Sequence, residues 1–512
     1  MAKISRALIA PFDKRGIEAF CKALHQRGIA LLATSGTAKT LKAAGLPVTE
    51  VSAHTGFPEI LGGRVKTLHP RIHGGLLARR DDPEHQAQVK EHDIPPIDLL
   101  CLNLYPFVDT IRKPGATFAD AVEMIDIGGP AMLRAAAKNH AFVVPLIDPA
   151  DYDGFLERLD GDRLDADYRR GLAAKAFRHT AQYDAAITGY LAGEEEGFPP
   201  VLGLVAQKAA DLRYGENPHQ KGALYRTPGG QGLAHAEVLN GKALSYVNLL
   251  DAAGAYGTVA DLDEPAAVVV KHANPCGAAQ GKDLPTVFEN AWQGDPVSAF
   301  GSILAFNRPV TRALAEAIAA KGFVEVVVAP GYDAGALEIL KTKPKWGGNV
   351  RLLRCPLPPR GGREVRTVPG GFLVQDLDGK ATEAADLKVV TKRAPSEAEV
   401  ADLVFAQRVC KHVKSNAIVL AKGGMVVGVG AGQMSRVDAA RLAVAKAGDR
   451  ARGAVFASDA FLPFNDALEV AVDAGAVAAV QPGGSKNDEA CIAYADERGL
   501  AMVFTGTRHF LH

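Results

Sequence analysis

The spacing of apolar positions in the first 150 residues changes repeatedly, and each change marks an element. "RALIA" (6–10) is a mostly apolar run of strand length. Ile17, Phe20, Cys21 and Leu24 follow at i, i+3, i+4 and i+7, the spacing of one helix face. Gly28 closes that helix, "IALLA" (29–33) is a second buried strand, and "TAKTLKAAG" (37–45) is a short helix ended by Gly45. "DLLCLNLYPF" (98–107) and "AFVVPLI" (141–147) predict further inner strands, with a helix over "FADAVEMI" (118–125). Uniformly apolar strands alternating with amphipathic helices predict an α/β fold with a parallel, doubly wound sheet.

A long helical pattern follows (169–191), and "GEEEGFPP" (193–200) combines charge, Gly and Pro. We therefore expect a first domain over 1–148, a helical connection and linker over 149–199, and a second region over 200–512. That region contains a faint internal echo. "VKHAN" near 271 is matched by "CKHVKSN" near 411, and "SAFGSILAFN" by "SDAFLPFND". The offsets differ, about 140 and about 160 residues, but the echo suggests two related α/β halves.

Composition narrows the function. Lys and Arg balance Asp and Glu at 58 each, which gives no bulk electrostatic reason to bind nucleic acid or an anionic membrane. No apolar run approaches the roughly 18 residues of a membrane span. The apolar run of "MAKISRALIAPFDK" is too short for a signal peptide before Asp13 and Lys14 arrive. Six cysteines stand singly with no C-x-x-C pair, the usage of a reduced, cytoplasmic protein.

Candidate chemistry sits in loops. "TSGT" (34–37) lies between a strand and a helix, where amides and hydroxyls could cradle a phosphate or merely cap. "GGRVKTLHP" (62–70) gathers Arg64, Lys66, Thr67 and His69, either an anion site or a solvated basic loop. "MIDIGGPAMLRAAAKNH" (124–140) sets Asp126 ahead of a helix with Lys138 near its end; a plain capping Asp is the alternative. Further on, "LRYGENPHQ", "GAGQMSRVDAARLA", "QPGGSKNDE" and "TGTRHFLH" are polar loops. "VVVKHANPCGAAQG" (268–281) looks like a reduced zinc-deaminase motif. The Glu such chemistry needs is Asn274, and the second cysteine is Ala279. One His and one Cys cannot close a tetrahedral zinc site, so no catalytic metal is expected. What remains is Lys271 beside His272 after a buried strand: a base near neutral pH and a charge stabiliser, or a strand exit with no role.

Read together, "GGRVKTLHP", "NLYPF", "IDIGG", "RAAAKNH", "LRYGENPHQ", "KHANPCG", "SAFGSILAFN", "KHVKSNAIV", "GAGQMSR", "SDAFLPF", "QPGGS" and "FTGTRHF" resemble one family, end to end. It is the bifunctional purine-biosynthesis family joining aminoimidazole-carboxamide ribotide (AICAR) transformylase to inosine monophosphate (IMP) cyclohydrolase. The resemblance implies a methylglyoxal-synthase-like cyclohydrolase domain and a transformylase region of two cytidine-deaminase-like halves. It implies formyl transfer from 10-formyltetrahydrofolate to AICAR, then dehydrative closure of formyl-AICAR to IMP, in a cytoplasmic homodimer.

By the same resemblance, His272 is the base, Lys271 the charge stabiliser, and Asn416 polarises the formyl oxygen. Arg213, Tyr214, Gly301, Glu325, Arg436 and Arg508 would contact the nucleotide. Val437, Phe461, Asp466, Ser485 and Lys486 match folate-side positions. Lys66, Tyr105, Asp126 and Lys138 would surround the cyclisation, with Lys138 favoured for the proton. Thr34, Ser35, Gly36, Thr37, Arg64, Val65, Thr67, Asn103, Ile127 and Gly128 would hold phosphate and ribose.

The chain departs from the family pattern at Ala10 and Phe12, where serines are usual, in "TSGT", which replaces a loop usually carrying two glycines, and at Asn465, where Arg is common. Ala10 and Phe12 raise one alternative, a transformylase with an impaired cyclohydrolase. A second, an N-terminal metabolite-sensing domain, follows from the resemblance, since similar domains sense phosphorylated metabolites when fused to synthetases.

Overall fold

A computed structural model describes residues 4–193, 197–358 and 360–512; Glu194–Glu196 of the expected 193–200 boundary lie outside the described residues. The chain forms two compact units, Met1–Val205 and Ala206–His512.

In the first unit five parallel strands run in the order β3-β2-β1-β4-β5. They are β1 (Arg6–Ile9), β2 (Ala30–Ala33), β3 (Val48–Glu50), β4 (Leu99–Cys101) and β5 (Val144–Leu146). Alternate side chains feed two cores. Ala7, Ile9, Leu31 and Ala33 meet the Ile17–Gln26 helix, whose buried face is Ile17, Phe20, Cys21 and Leu24. Leu8, Leu32 and Leu100 meet Met132, Leu133 and Ala136 of the Gly128–Lys138 helix. Each Leu, Ile, Phe or Met among them, once buried, contributes roughly 2 kcal/mol. Burial on both faces is why these strands show no polar alternation. The long Ala166–Ala192 helix packs on this unit through Leu172 and Tyr183. Strand order reverses between β1 and β4, and in open α/β sheets ligands bind outside the carboxyl ends of strands at such a point.

In the second unit a ribbon of β6 (Gln207–Leu212) and β7 (Gly222–Arg226) precedes a twelve-stranded sheet. Its first half contains β8 (Glu237–Asn240), β9 (Ala266–Lys271), β10 (Asn274–Gln280), β11 (Ser302–Phe306), β12 (Val324–Ala329) and β13 (Arg351–Arg354). A second ribbon, β14 (Arg363–Val368) and β15 (Gly371–Asp376), comes next. The second half contains β16 (Lys388–Val389), β17 (Ile418–Lys422), β18 (Met425–Gly430), β19 (Val455–Ser458), β20 (Ala478–Gln481) and β21 (Ala501–Phe504).

The halves repeat. In each, a helix leads into an antiparallel hairpin, then an antiparallel neighbour and two parallel strands, and β10 joins β18 where they meet. Ser245 and Ser396 each close a capping box on the leading helices, Tyr246–Ala260 and Glu397–Cys410. One core lies between those helices and both half-sheets; Val268 and Val270 of β9 share it with Val419 and Ala421 of β17. Gly277 and Gly428 let a helix lie directly on the hairpin, since a Cβ there would meet Ala291 O at 1.9 Å or Ala443 O at 2.0 Å.

The two halves are thus present, but the words that suggested them do not align. "KHAN" forms the β9–β10 turn, whose counterpart is "KGGM" between β17 and β18. "CKHVKSN" instead leads into β17, and "SDAF" follows β19 whereas "SAFG" precedes β11. The true offset at the leading helix and hairpin is 151 residues, the separation of Asp261 and His412, which hydrogen-bond to each other.

Candidate active sites

The first candidate centre lies at the carboxyl ends of β1, β2 and β4. Asn103 pins the loop after β1, accepting from Asp13 N at 2.8 Å and donating to Asp13 O at 3.3 Å. "TSGT" begins the Ser35–Ala43 helix with Thr34 at its N-cap and Thr37 buried. Lys14 Nζ reaches Gly36 O at 3.4 Å. Lys66 pairs with Glu59 at 3.5 Å, and Glu59 also accepts from the Ser35 hydroxyl. Thr67 is buried against Gly128, where a Cβ would come 2.6 Å from its hydroxyl.

Asp126 is half-buried. Its carboxylate accepts from Gly129 N at 2.7 Å, while its own amide donates to Tyr183 Oη at 2.8 Å. Burial raises the carboxyl above its ordinary range, opposed by the Gly129 amide, the charge of Lys66 and the Tyr105 amide. A half-buried acid facing Lys66 and Tyr105 is suited to proton transfer. Phe12 is half exposed, its ring edge-on to Tyr105 with centroids 5.7 Å apart. Ala10 packs on the core beneath, its amide donating to Cys101 O at 2.9 Å.

Other expected residues stand apart. Lys138 is exposed at the far end of the Gly128–Lys138 helix, about 15 Å along its axis from the Asp126 end. Within one chain, then, the fold does not bring Lys138 to Lys66, Tyr105 and Asp126. Arg64 pairs with Glu123 at the surface, Val65 bridges to Ile60, and Ile127 is exposed. His69 caps the Pro70–Leu77 helix, accepting from Arg71 N at 3.1 Å. Glu59, Lys14 and Tyr183 were not anticipated; a lone carboxylate in "GFPEILGG" and a Tyr within a long helix carry no motif.

The second candidate centre forms at the β9–β10 turn. Lys271 Nζ donates to Phe300 O at 2.9 Å and Gly301 O at 3.2 Å; Gly301 has φ 69°. His272 is exposed, at φ 52°, followed by Ala273 at φ 59°. Asp251 accepts from Ala273 N at 2.7 Å. Burial raises its carboxyl, against the Ala273 amide and the charges of His272 and Lys271. Asn274 accepts from Lys414 N at 3.0 Å, bringing "KHAN" and "KHVKSN" together.

Asn416, two residues on, donates to Gln433 O at 2.9 Å. The fully buried Asp459 accepts from Ser415 Oγ and, at 3.0 Å, from Arg436 Nη2. Arg436 and Arg508 both lie over the Phe510 ring, at 5.9 and 4.3 Å. The C-terminal segment is docked, with Leu511 O accepting from Ser415 N at 2.9 Å and His512 O from Lys414 Nζ at 2.6 Å.

Glu325 is paired with the buried Arg351, and Arg213 with Tyr214 at 2.9 Å. Asn487 donates to Pro463 O at 2.6 Å, joining the segment of Phe461 and Asp466 to that of Ser485 and Lys486. Val437 is the second residue of the Arg436–Ala447 helix. The Cys276 thiol faces Val269 O at 3.4 Å, and burial pushes it up to about 12, so it is not a thiolate.

The two centres lie on the two folds that known proteins join. An MGS-like domain model matches residues 16–131, and the AICARFT/IMPCHase bienzyme model matches residues 136–446. A solved structure, "Crystal structure of ForH", shares 39% identity over 36% of this chain and 95% of its own, with a TM-score of 0.32. The molecule is an α/β bifunctional enzyme, an MGS-like domain followed by a formyltransferase region. The chain belongs to the AICARFT/IMPCHase bienzyme family. It carries out the last two steps of IMP formation: formylation of AICAR and ring closure of the product. No helix among the described residues is long and apolar enough to cross a membrane.

Proposed function

We propose that closure takes place in the first unit and formyl transfer in the second, with 10-formyltetrahydrofolate as donor, in a cytoplasmic homodimer. The observation that carries the assignment is the β9–β10 turn, which presents His272 to solvent beside a tethered Lys271. The AICAR amine is a poor nucleophile because its lone pair is delocalised into the imidazole. His272 takes a proton from that nitrogen as it bonds to the formyl carbon, and Lys271 and Asn416 stabilise the oxyanion. The bond to folate N10 then breaks, and that nitrogen recovers a proton. Arg436 and Arg508, both over Phe510, supply positive charge for the nucleotide phosphate. Val437, Phe461, Asp466, Ser485 and Lys486 line the donor side.

In the first unit the carboxamide nitrogen attacks the formyl carbon and water leaves. Lys66, Tyr105 and Asp126 are the proton carriers that the fold gathers there, and the amides of 34–37 with Thr67 and Gly128 receive the phosphate. Lys138 can act on this reaction from a second copy. Phe372 and Leu373, 54% and 62% exposed on the β14–β15 ribbon, suit a subunit contact. An ultraviolet assay of AICAR with 10-formyltetrahydrofolate tests the assignment. The intact enzyme should yield IMP; His272→Ala should abolish formyl transfer yet still cyclise supplied formyl-AICAR. Loss of both activities together would refute two independent centres.

A further inference from the structure

We propose that Asp251 is a positioning residue for formyl transfer: it holds the His272–Ala273 turn in the left-handed conformation that presents the imidazole. The inference rests on His272 as the base. β9 and β10 pair Lys271 with Asn274, leaving a two-residue turn with positive φ at both places. Such turns select Gly, Asn or Asp, because other side chains crowd the backbone there. His272 and Ala273 resist the conformation they occupy, so something outside the turn must hold it.

The structure contains its own control. In the second half Lys422 pairs with Met425 across the equivalent turn, and the residues between are Gly423 (φ 60°) and Gly424 (φ 71°). Both turns are braced alike. Asp251, the sixth residue of its helix and 5% exposed, takes the Ala273 amide at 2.7 Å and also faces the His272 amide. Asp402, the sixth residue of the other leading helix, takes the Gly423 and Gly424 amides at 2.8 Å each. The brace is therefore part of the repeated unit. Where glycine fills the turn it secures a conformation the chain favours anyway. Where His and Ala fill it, the brace fixes where the imidazole points. Asn274 Nδ2, donating to His272 O at 3.1 Å, is a second tie; Met425, at the equivalent place, has no amide to make it.

The test uses the full-length enzyme with AICAR and 10-formyltetrahydrofolate, reading kcat and KM separately and checking cyclisation of formyl-AICAR. Asp251→Ala should lower kcat about a hundredfold, the scale of a misplacement near 1 Å, with KM for AICAR nearly unchanged. Asp251→Asn keeps an acceptor oxygen and should retain most of kcat. Adding Ala273→Gly to Asp251→Ala should recover roughly tenfold, because Gly takes positive φ freely. Asp402→Ala should lower the melting temperature but leave kcat within about twofold. The proposal is overturned if Asp251→Ala keeps full kcat, if Asp251→Asn is as slow as Asp251→Ala, or if Ala273→Gly gives no rescue. Turnover by His272→Ala near the parent rate would instead overturn the base assignment, so the two failures are told apart.

Discussion

The β9–β10 and β17–β18 hairpins share one backbone and differ in what they carry. Both are two-residue turns with positive φ throughout, 52° and 59° in one, 60° and 71° in the other. Gly423 and Gly424 occupy that conformation without penalty; His272 and Ala273 do so at about 1–2 kcal/mol each. A repeated fold thus supplies an internal reference for strain. The same turn is built without strain from two glycines in one half and against strain from His and Ala in the other.

The most severe way to break the comparison is to erase it. Replacing His272 and Ala273 together by glycine should make the first hairpin match the second. Formyl transfer should fall about 10²–10⁴-fold, the usual contribution of a general base. Melting temperature should hold or rise as backbone strain is relieved. A destabilised double variant would mean that His272 is needed for the fold, and the contrast with Gly423 would collapse.

A second test addresses the joint between the halves. Asp261 and His412 hold equivalent places and bond at 2.7 Å, while Lys411 Nζ reaches the same carboxylate at 2.8 Å. Burial alone would raise Asp261; the His412 hydrogen bond and charge, then those of Lys411, outweigh it and hold the carboxyl at about 2. A depressed folded-state value stabilises above the unfolded value and ceases to as pH falls through the folded one. Asp261 should therefore contribute about 2–3 kcal/mol above roughly pH 4, lost progressively towards pH 2. Urea melts across that window should show the loss, and Asp261→Asn should remove that part of the pH dependence. An unchanged pH profile in Asp261→Asn would show that the joint adds no such stabilisation.

How much of this was legible in the sequence follows from what each residue does. Ile17, Phe20, Cys21 and Leu24 announced their helix because a buried face must repeat at helical spacing. The "DLLCLNLYPF" strand stopped at Cys101, short of its apolar run, because Asn103 turns away to pin Asp13. The repeat was legible too, but in quieter residues than those that drew notice: Ser245 and Ser396, Asp251 and Asp402, Lys271 and Lys422, Gly277 and Gly428. They recur because capping, bracing and close packing are needed in both halves. The conspicuous words "KHAN" and "KHVKSN" are similar yet not equivalent; they meet in space through Asn274 and Lys414. Glu59 and Tyr183 escaped notice since their partners, Lys66 and Asp126, lie far away in sequence or carry no fixed spacing.

The smallest effect sharpens the comparison most, because it asks the glycine turn to bear side chains. Gly423 has open space where a Cβ would go, whereas a Cβ on Gly424 would lie 3.0 Å from Gln280 O. Gly423→Ala should then register only the left-handed backbone penalty, about 1 kcal/mol. Gly424→Ala should cost more, about 2 kcal/mol, since a backbone oxygen in the neighbouring β10 gives way less readily than a side chain. Asp402 remains to brace both variants, so each should fold, and equilibrium denaturation of the two alongside the parent would rank them. Neither turn residue is among those assigned to formyl transfer, so kcat should not move. If the two alanines cost the same, the Gln280 contact adds nothing and the penalty is wholly conformational. If neither costs anything, Asp402 alone is enough to hold non-glycine residues in this turn. The strain assigned to His272 and Ala273 beside Asp251 would then have to be withdrawn.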